Sequence, residues 1–154
     1  MNWRGHVGLN LAVLSVVGML FNFYDINYGI VVAASTLFSS LPDIDLKLEI
    51  GHRKYTHNIL FALVFSMLFG YATYYIIHDF TLGFSIMFSA LIIHIVGDLM
   101  TYKPFNPFAP FTRGNYSFRL FRSSSKAVNN ALMVLGSILY SMYLVGLIYI
   151  KTIH

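Results

Sequence analysis

Seven histidines and aspartates lie within or beside long apolar segments, where ionisable side chains are costly and need a partner. They are His6, Asp43, Asp45, His52, His57, His94 and Asp98. Imidazole and carboxylate groups are the ligands that zinc and neighbouring divalent cations take in proteins. The chain has no cysteine, so thiolate sites and disulfides are excluded. The residue types therefore predict a site for one or two divalent cations, with zinc preferred and manganese or iron as alternatives.

Two spacings in this set favour chelation. His94 and Asp98 are four residues apart, so a helix brings them to one face. Asp43 and Asp45 follow a proline, which favours a turn that projects both carboxylates. Each pattern alone has a simpler explanation, as a surface ion pair or a helix end. Their combination favours a metal, with His57, His94 and Asp98 as the strongest ligands and at least one of Asp43 and Asp45 binding.

The apolar segments predict the elements that position these residues. The chain is 57% hydrophobic and 10% charged, whereas a soluble domain carries about 25% charged residues. Charge-poor blocks predict helices at about 6–24, 27–42, 55–77, 80–99 and 127–150, each near the roughly 20 residues that a membrane span needs. We therefore expect an all-α fold, a polytopic membrane helical bundle with about five transmembrane helices in a single domain over residues 1–154.

The basic residues predict an orientation. Nine of the ten lysines and arginines fall in the N-terminal segment and the two longer links, over 43–54 and 101–126, and only Lys151 falls on the other side. The positive-inside rule then makes those segments cytoplasmic. All seven candidate ligands lie at the cytoplasmic ends of their helices in this topology, whereas His78 and His154 lie outside. The net charge of +4 reflects topology, so membrane lipids are expected partners and nucleic acid is not.

The link over 101–126 has an unusual composition. Three prolines alternate with phenylalanines in its first half, and Ser117-Phe118-Arg119-Leu120-Phe121-Arg122 follows. The prolines exclude a regular helix in the first half. Aromatic side chains beside basic ones suit the headgroup region of a membrane. The sequence leaves open whether this link rests on the membrane or lines a substrate site.

Three motifs together resemble the YdjM-like family of inner-membrane proteins, described as metal-dependent hydrolases. The motifs are Leu41-Pro42-Asp43-Ile44-Asp45, His52-Arg53-Lys54-Tyr55-Thr56-His57-Asn58 and His94-Ile95-Val96-Gly97-Asp98-Leu99-Met100-Thr101, with His6 before them and Pro107-Phe108 and Pro110-Phe111 after them. The resemblance runs from His6 to about Phe111, and the combined pattern is specific although each motif alone is not. It implies an integral protein of the inner, cytoplasmic membrane with a metal-dependent hydrolytic site.

Through that family the chain is distantly similar to zinc-dependent phospholipase C and P1-type nucleases. This similarity implies that Asp98 bridges two metals. The other implied ligands are His57, His94 and Asp43 or Asp45 for one metal, and His6 for the other. Those soluble enzymes also have a third metal site, for which nothing after Asp98 supplies ligands, and they use an N-terminal amine, for which Met1 is not an obvious counterpart. A site for one or two metals is therefore expected.

The expected function is hydrolysis of a phosphoester by a metal-activated water. A site at headgroup level favours a lipid or lipid-headgroup substrate, with a soluble phosphoester from the cytoplasm as the alternative. Asp45 or Asp43, if not coordinated, takes the proton from the water, and Arg53 holds the phosphate through two parallel hydrogen bonds. For Arg53 and its neighbour Lys54 the alternative is a purely topological role.

Two functions of other classes remain open at this stage. The first is a non-catalytic membrane scaffold with a structural metal, which differs from an enzyme in having a closed coordination shell. The second is a metal or ion transporter, which predicts polar residues along the middle and outer parts of the helices. The middle parts of the third and fourth predicted helices carry few polar residues, and this argues against transport.

Overall fold

The computed structural model describes residues 1–43 and 56–153, and these residues form five α-helices and no β-strand. The helices are α1 (Trp3–Leu20), α2 (Ile26–Phe38), α3 (Ile59–Ile77), α4 (Phe80–Leu99) and α5 (Lys126–Ile153), and a short 3-10 turn, Leu41–Asp43, follows α2. The all-α helical bundle predicted from the sequence is confirmed.

Four of these helices, α1, α3, α4 and α5, are long and apolar enough to cross a membrane. The helix α2 has 13 residues, so it rises about 20 Å, less than the roughly 30 Å of a hydrocarbon core. The sequence predicted a helix as far as residue 42, but α2 ends at Phe38 and the chain enters the 3-10 turn at Leu41. Of the about five spans expected, four are therefore supported and the second is a shorter helix.

Polar residues immediately before four of the helices fix where those helices begin. In each case the side-chain oxygen accepts a hydrogen bond from the backbone N–H three residues later, as N-caps do. The four caps are Asn2, Asp25, Asn58 and Asp79. Capping starts α1 three residues before the predicted position and α3 four residues after it. His57 consequently precedes α3 and does not lie in its first turn.

The close packing of α1 against α5 depends on glycines. A methyl group added at Gly8 would lie 2.4 Å from the backbone of Leu132, and one added at Gly136 would lie 2.1 Å from the carbonyl oxygen of Gly8. Small residues that let two backbones approach are typical of helix pairs within membranes. This contact holds α1, and with it His6, in a fixed position relative to α5.

We expect Gly136→Ala to lower the free energy of unfolding by about 2 kcal/mol, because its methyl group meets backbone that cannot move aside. The measurement is unfolding in detergent followed by circular dichroism. The matched control is Gly29→Ala in α2, where the nearest atom to an added methyl group is 3.5 Å away. Equal stability of the two variants would contradict the role assigned to the α1–α5 contact.

The helix α4 lies at the centre of the bundle, in contact with α1, α2 and α3. At its end the loop over 100–125 forms no helix, as its prolines predict. The loop is nevertheless fixed by backbone hydrogen bonds: Phe118 N–H donates to Leu99 at 2.7 Å and Leu120 N–H donates to Met100 at 2.9 Å. The carbonyl of Pro107 accepts from Ile59 N–H at 2.8 Å, so the loop joins the end of α4 to the start of α3.

Candidate metal centre

Five of the seven predicted ligands come together from four separate parts of the chain. They are His6 in α1, Asp43 in the turn after α2, His57 before α3, and His94 and Asp98 in α4. Four of them are at most 1% exposed, and Asp43 is partly exposed. Ligand atoms of His6, Asp43, His94 and Asp98 all lie within 4.8 Å of one another. This group could hold a metal ion, and His57 completes what we call the His–Asp cluster.

Each carboxylate of the cluster presents its two oxygens to different histidines. Asp43 Oδ1 lies 3.6 Å from Nε2 of both His57 and His94, and Asp43 Oδ2 lies 3.7 Å from Nε2 of His6. Asp98 Oδ2 lies 3.5 Å from Nε2 of His57, and Asp98 Oδ1 lies 3.5 Å from Nε2 of His6. The carboxylates thus connect a His57–His94 side to a His6 side, an arrangement that suits one cation or two.

Oxygen atoms outside the cluster orient two of the imidazole rings. His94 Nδ1 lies 2.7 Å from the carbonyl oxygen of Ser39. A carbonyl only accepts, so Nδ1 carries the proton and a neutral His94 directs the lone pair of Nε2 into the cluster. His57 Nδ1 lies 2.8 Å from Thr56 Oγ1. The two Nε2 atoms are 3.1 Å apart, and since two lone pairs repel at that distance, a proton or a cation must separate them.

His6 provides a separate test of whether a cation fits. Its side chain is buried, and neither ring nitrogen has a hydrogen-bond partner among residues 1–43 and 56–153. The ring stacks on that of His94, with centroids 3.7 Å apart and planes 9° from parallel. A buried polar group without a partner is costly. A cation held between His6 Nε2 and the nearby carboxylates would remove that cost.

The N-terminal amine of Met1 also reaches the cluster, where it contacts Asp98 Oδ1. Met1 was not an obvious candidate for the site from the sequence, and the structure corrects this. The physical reason is that Asn129 Oδ1, in α5, accepts a hydrogen bond from Asn2 N–H at 3.2 Å and so holds the first residues against the bundle. The Met1 side chain is buried beside Gly97.

Asp43 lies outside the membrane-spanning helices, so its pKa can be related to its surroundings directly. Burial raises the pKa of Asp43, but hydrogen bonding with His57, together with smaller electrostatic effects of the His94 and His6 imidazoles, outweighs burial. The pKa therefore lies below its usual value. Asp43 is consequently ionised at neutral pH, which is the state that a carboxylate ligand must have.

Three predicted site residues, Asp45, His52 and Arg53, fall between positions 44 and 55 and lie outside the described residues. Their predicted roles as base, ligand and phosphate contact stay predictions, as does the placement of His154. His78 is exposed in the turn between α3 and α4, as expected from the sequence. Asp43 and Thr56 stand on either side of these positions in the sequence. Asp43 belongs to the cluster, and Thr56 contacts the cluster residue His57.

A polar group that was not predicted from the sequence lies beside the cluster. Asn10 is fully buried, and its Nδ2 donates to Ser35 Oγ at 2.8 Å and to Thr36 Oγ1 at 3.0 Å. Its Oδ1 has no hydrogen-bond partner within the part of the chain that the structure describes. The signal was present in the sequence, because Asn10 is four residues after His6 and therefore on the same face of α1. Polar atoms thus continue about one helical turn beyond the cluster.

A separate cavity of about 480 Å³ opens where α1, α2 and α4 meet. Its lining includes Asp25, Asp79, Ser85 and Ser89, and none of the five cluster residues lines it. Both carboxylates already accept backbone hydrogen bonds as helix caps. This cavity is therefore distinct from the cluster.

Comparison with known proteins connects the chain to one family. The family model described as YdjM inner membrane protein matches residues 1–153. No curated protein matches the chain, and no solved structure matches it. The similarity to phospholipase C and P1-type nucleases accordingly stays a prediction from the sequence.

Proposed function

Because this chain belongs to the YdjM inner membrane protein family, we propose that it is a membrane-bound, metal-dependent hydrolase of phosphoesters. Its substrate is a phospholipid or another lipid phosphoester, and its site faces the cytoplasm. The reaction adds one water across a P–O ester bond and gives a phosphorylated fragment and an alcohol. One observation supports the proposal above the others, the convergence of three histidines and two aspartates in a buried position at one end of the helices.

The donor set fits a divalent cation. Zinc–nitrogen bonds of about 2.1 Å in a tetrahedral site separate the ligand atoms by about 3.4 Å. The nitrogen–oxygen distances among His6, His57, Asp43 and Asp98 are 3.5 to 3.7 Å, and the His57–His94 nitrogen distance is 3.1 Å. Two carboxylates and three neutral imidazoles carry a formal charge of −2, which one divalent cation neutralises. Zinc is the preferred metal, with manganese or iron as alternatives.

The positions of the carboxylate oxygens support a site for two metals. In both Asp43 and Asp98, one oxygen lies near His6 and the other lies near His57. In this assignment His57 and His94 would hold one ion and His6 would hold the other, with oxygens of Asp43 and Asp98 available to both. A cation in such a site supplies a water of lowered pKa and polarises the phosphoryl oxygen. The protein orients its imidazole ligands through Ser39 and Thr56, and this second layer of contacts fixes which nitrogen is available.

The catalytic residues that we assign lie in the segment between the two ends of the cluster. Asp45 follows Asp43 by two residues, and we assign it the proton of the attacking water. Arg53 precedes His57 by four residues, and we assign it the phosphate, through the bidentate contacts that guanidinium makes. Asp43 Oδ1 and His57 Nε2 lie 3.6 Å apart in the cluster, so each assigned residue is within four sequence positions of a cluster residue.

The loop next to the cluster supports a lipid substrate. This loop, over 100–125, carries exposed aromatic and basic side chains, a composition that suits the headgroup region. Phe105 of this loop lies against the His57 ring, at 6.0 Å between centroids. Nine of ten lysines and arginines fall in segments assigned to the same side as the cluster, and the positive-inside rule makes that side cytoplasmic.

One observation favours transport of a cation as a second candidate function. The buried Asn10 and Ser35, with the partly buried Thr36, extend polar atoms from the cluster into the bundle, which the sequence alone did not indicate. A transporter would carry zinc across a proteoliposome membrane, whereas the proposed hydrolase would release product without moving the ion.

The test is hydrolysis in nanodiscs of phosphatidylethanolamine and phosphatidylglycerol, with zinc supplied and products measured by mass spectrometry. We expect release of phosphorylated headgroup that stops with chelator and falls at least about 100-fold in Asp98→Asn. The control is Asp79→Asn, which makes the same change of charge at a helix cap away from the cluster. No product from either lipid or from bis-p-nitrophenyl phosphate in zinc-loaded protein would overturn the proposal.

A further inference from the structure

The loop between α4 and α5 exposes large apolar side chains next to basic ones. We call this the loop surface. Its apolar members are Tyr102, Phe108, Phe111, Tyr116, Phe118 and Leu120, and its arginines are Arg113, Arg119 and Arg122. Phe111 is 78% exposed, Phe118 is 65% exposed and Leu120 is 62% exposed. Apolar exposure of this extent outside a spanning helix marks a surface that contacts a partner or a membrane.

The loop surface is held in place by contacts of its backbone. Phe118 N–H donates to the carbonyl of Leu99, the last residue of α4, and Leu120 N–H donates to the carbonyl of Met100, which follows it. Between these two donors, Arg119 has a positive φ of 54°, which is uncommon for a residue with a side chain, and Ser117 Oγ accepts from its N–H at 3.2 Å. The exposed side chains are therefore presented from a fixed backbone at the end of α4.

The charge of the loop surface is unbalanced. No aspartate or glutamate follows Asp98 in the sequence. Within residues 1–43 and 56–153, each ion pair includes a residue of the His–Asp cluster and none involves Arg113, Arg119 or Arg122. Exposed arginines beside exposed phenylalanines complement a ligand that has a phosphate next to hydrocarbon.

We propose that the loop surface binds an anionic phospholipid of the surrounding bilayer. Phe118 and Leu120 enter the boundary between headgroups and acyl chains, and Arg119 and Arg122 bind the headgroup phosphate. The alternation of apolar and basic residues at the end of a spanning helix favours a lipid over a soluble partner, since both parts of a phospholipid meet this surface at once. This site is distinct from the His–Asp cluster and does not require a metal or hydrolysis.

The test is quenching of tryptophan fluorescence by brominated lipid. The chain has one tryptophan, Trp3, so Trp3→Phe combined with Phe118→Trp gives an indole that reports on the loop surface alone. Reconstituted vesicles of phosphatidylcholine contain phosphatidylglycerol, with one lipid brominated at a time. We expect binding of the anionic lipid to be favoured over the zwitterionic lipid by at least about fivefold, and each of Arg119→Gln and Arg122→Gln to reduce this preference by up to about fivefold.

The matched control is Lys151→Gln, which removes one positive charge near the far end of α5 and should leave the preference unchanged. Equal quenching by the two brominated lipids would overturn the proposal. So would quenching by neither lipid, because the loop surface would then be covered by protein. Repeating the measurement in chelator separates this site from the metal centre, since loss of the metal should not change the preference.

Discussion

Wild-type protein purified in detergent without chelator should retain about one to two equivalents of divalent metal, and Asp98→Asn should lose most of it. Asp98 is fully buried and directs its two oxygens to His6 and His57 on opposite sides of the cluster. Neutralising Asp98 removes charge and a ligand atom from both sides. Loss of an outer-shell partner already costs about 10-fold to 100-fold in metal affinity, so loss of this ligand should cost at least about 100-fold.

Elemental analysis of matched preparations measures this effect, with an affinity tag at the C-terminus because the Met1 amine contacts Asp98. Asp79→Asn is the control, since asparagine also caps a helix and Asp79 lies at the opposite end of α4 from Asp98. If Asp98→Asn fails to fold, Asp43→Asn replaces it, because Asp43 lies in a turn outside the helices. Wild-type protein that is metal-free and binds none on reconstitution would exclude a metal centre.

The helices could be predicted because each depends on the composition of its own stretch of sequence. Long runs without charge determine α1, α3, α4 and α5, and the structure differs from the sequence prediction mainly at their ends. The first turns are set by N-cap hydrogen bonds of Asn2 and Asn58, which hydropathy does not detect. The length of α2 was overestimated because Ser39 and Ser40, although uncharged, lie after the helix and lead into the 3-10 turn.

The sequence also singled out the five residues that come together in the cluster, because several histidines and aspartates in apolar segments have few explanations. The predicted roles of Asp45, His52 and Arg53 stay predictions. The geometry of the cluster was not predictable, since it depends on contacts between distant parts of the chain. The stacking of His6 on His94 joins α1 to α4, and the approach of Met1 to Asp98 depends on Asn129 in α5. The polar contacts of Asn10 were not predictable, because its hydrogen bonds to Ser35 and Thr36 join α1 to α2 and hydropathy does not show which uncharged polar residues meet.

The second large effect is on stability, and we expect chelation of the metal to lower the melting temperature of the wild-type protein by roughly 10 °C. A ligand that binds only the folded state at about 1,000 times its dissociation constant stabilises it by about 4 kcal/mol. For a chain of this size, each 1 kcal/mol shifts the melting temperature by about 2–4 °C. Without a cation, Asp43 and Asp98 would remain close together among three histidines, and the ring of His6 has no hydrogen bond within the described part of the chain. This arrangement is costly.

Thermal unfolding in detergent, with and without chelator, measures the shift in wild type, Asp79→Asn and Asp98→Asn. The Asp79→Asn variant should shift as wild type does, because Asp79 caps α4 away from the cluster. The Asp98→Asn variant should not respond to chelator, because little metal remains to be removed. A wild-type protein that loses its metal without any change in melting temperature would mean that protons satisfy the cluster as well as a cation does. The contact between the Met1 amine and Asp98 would then be the main compensation for the buried carboxylate.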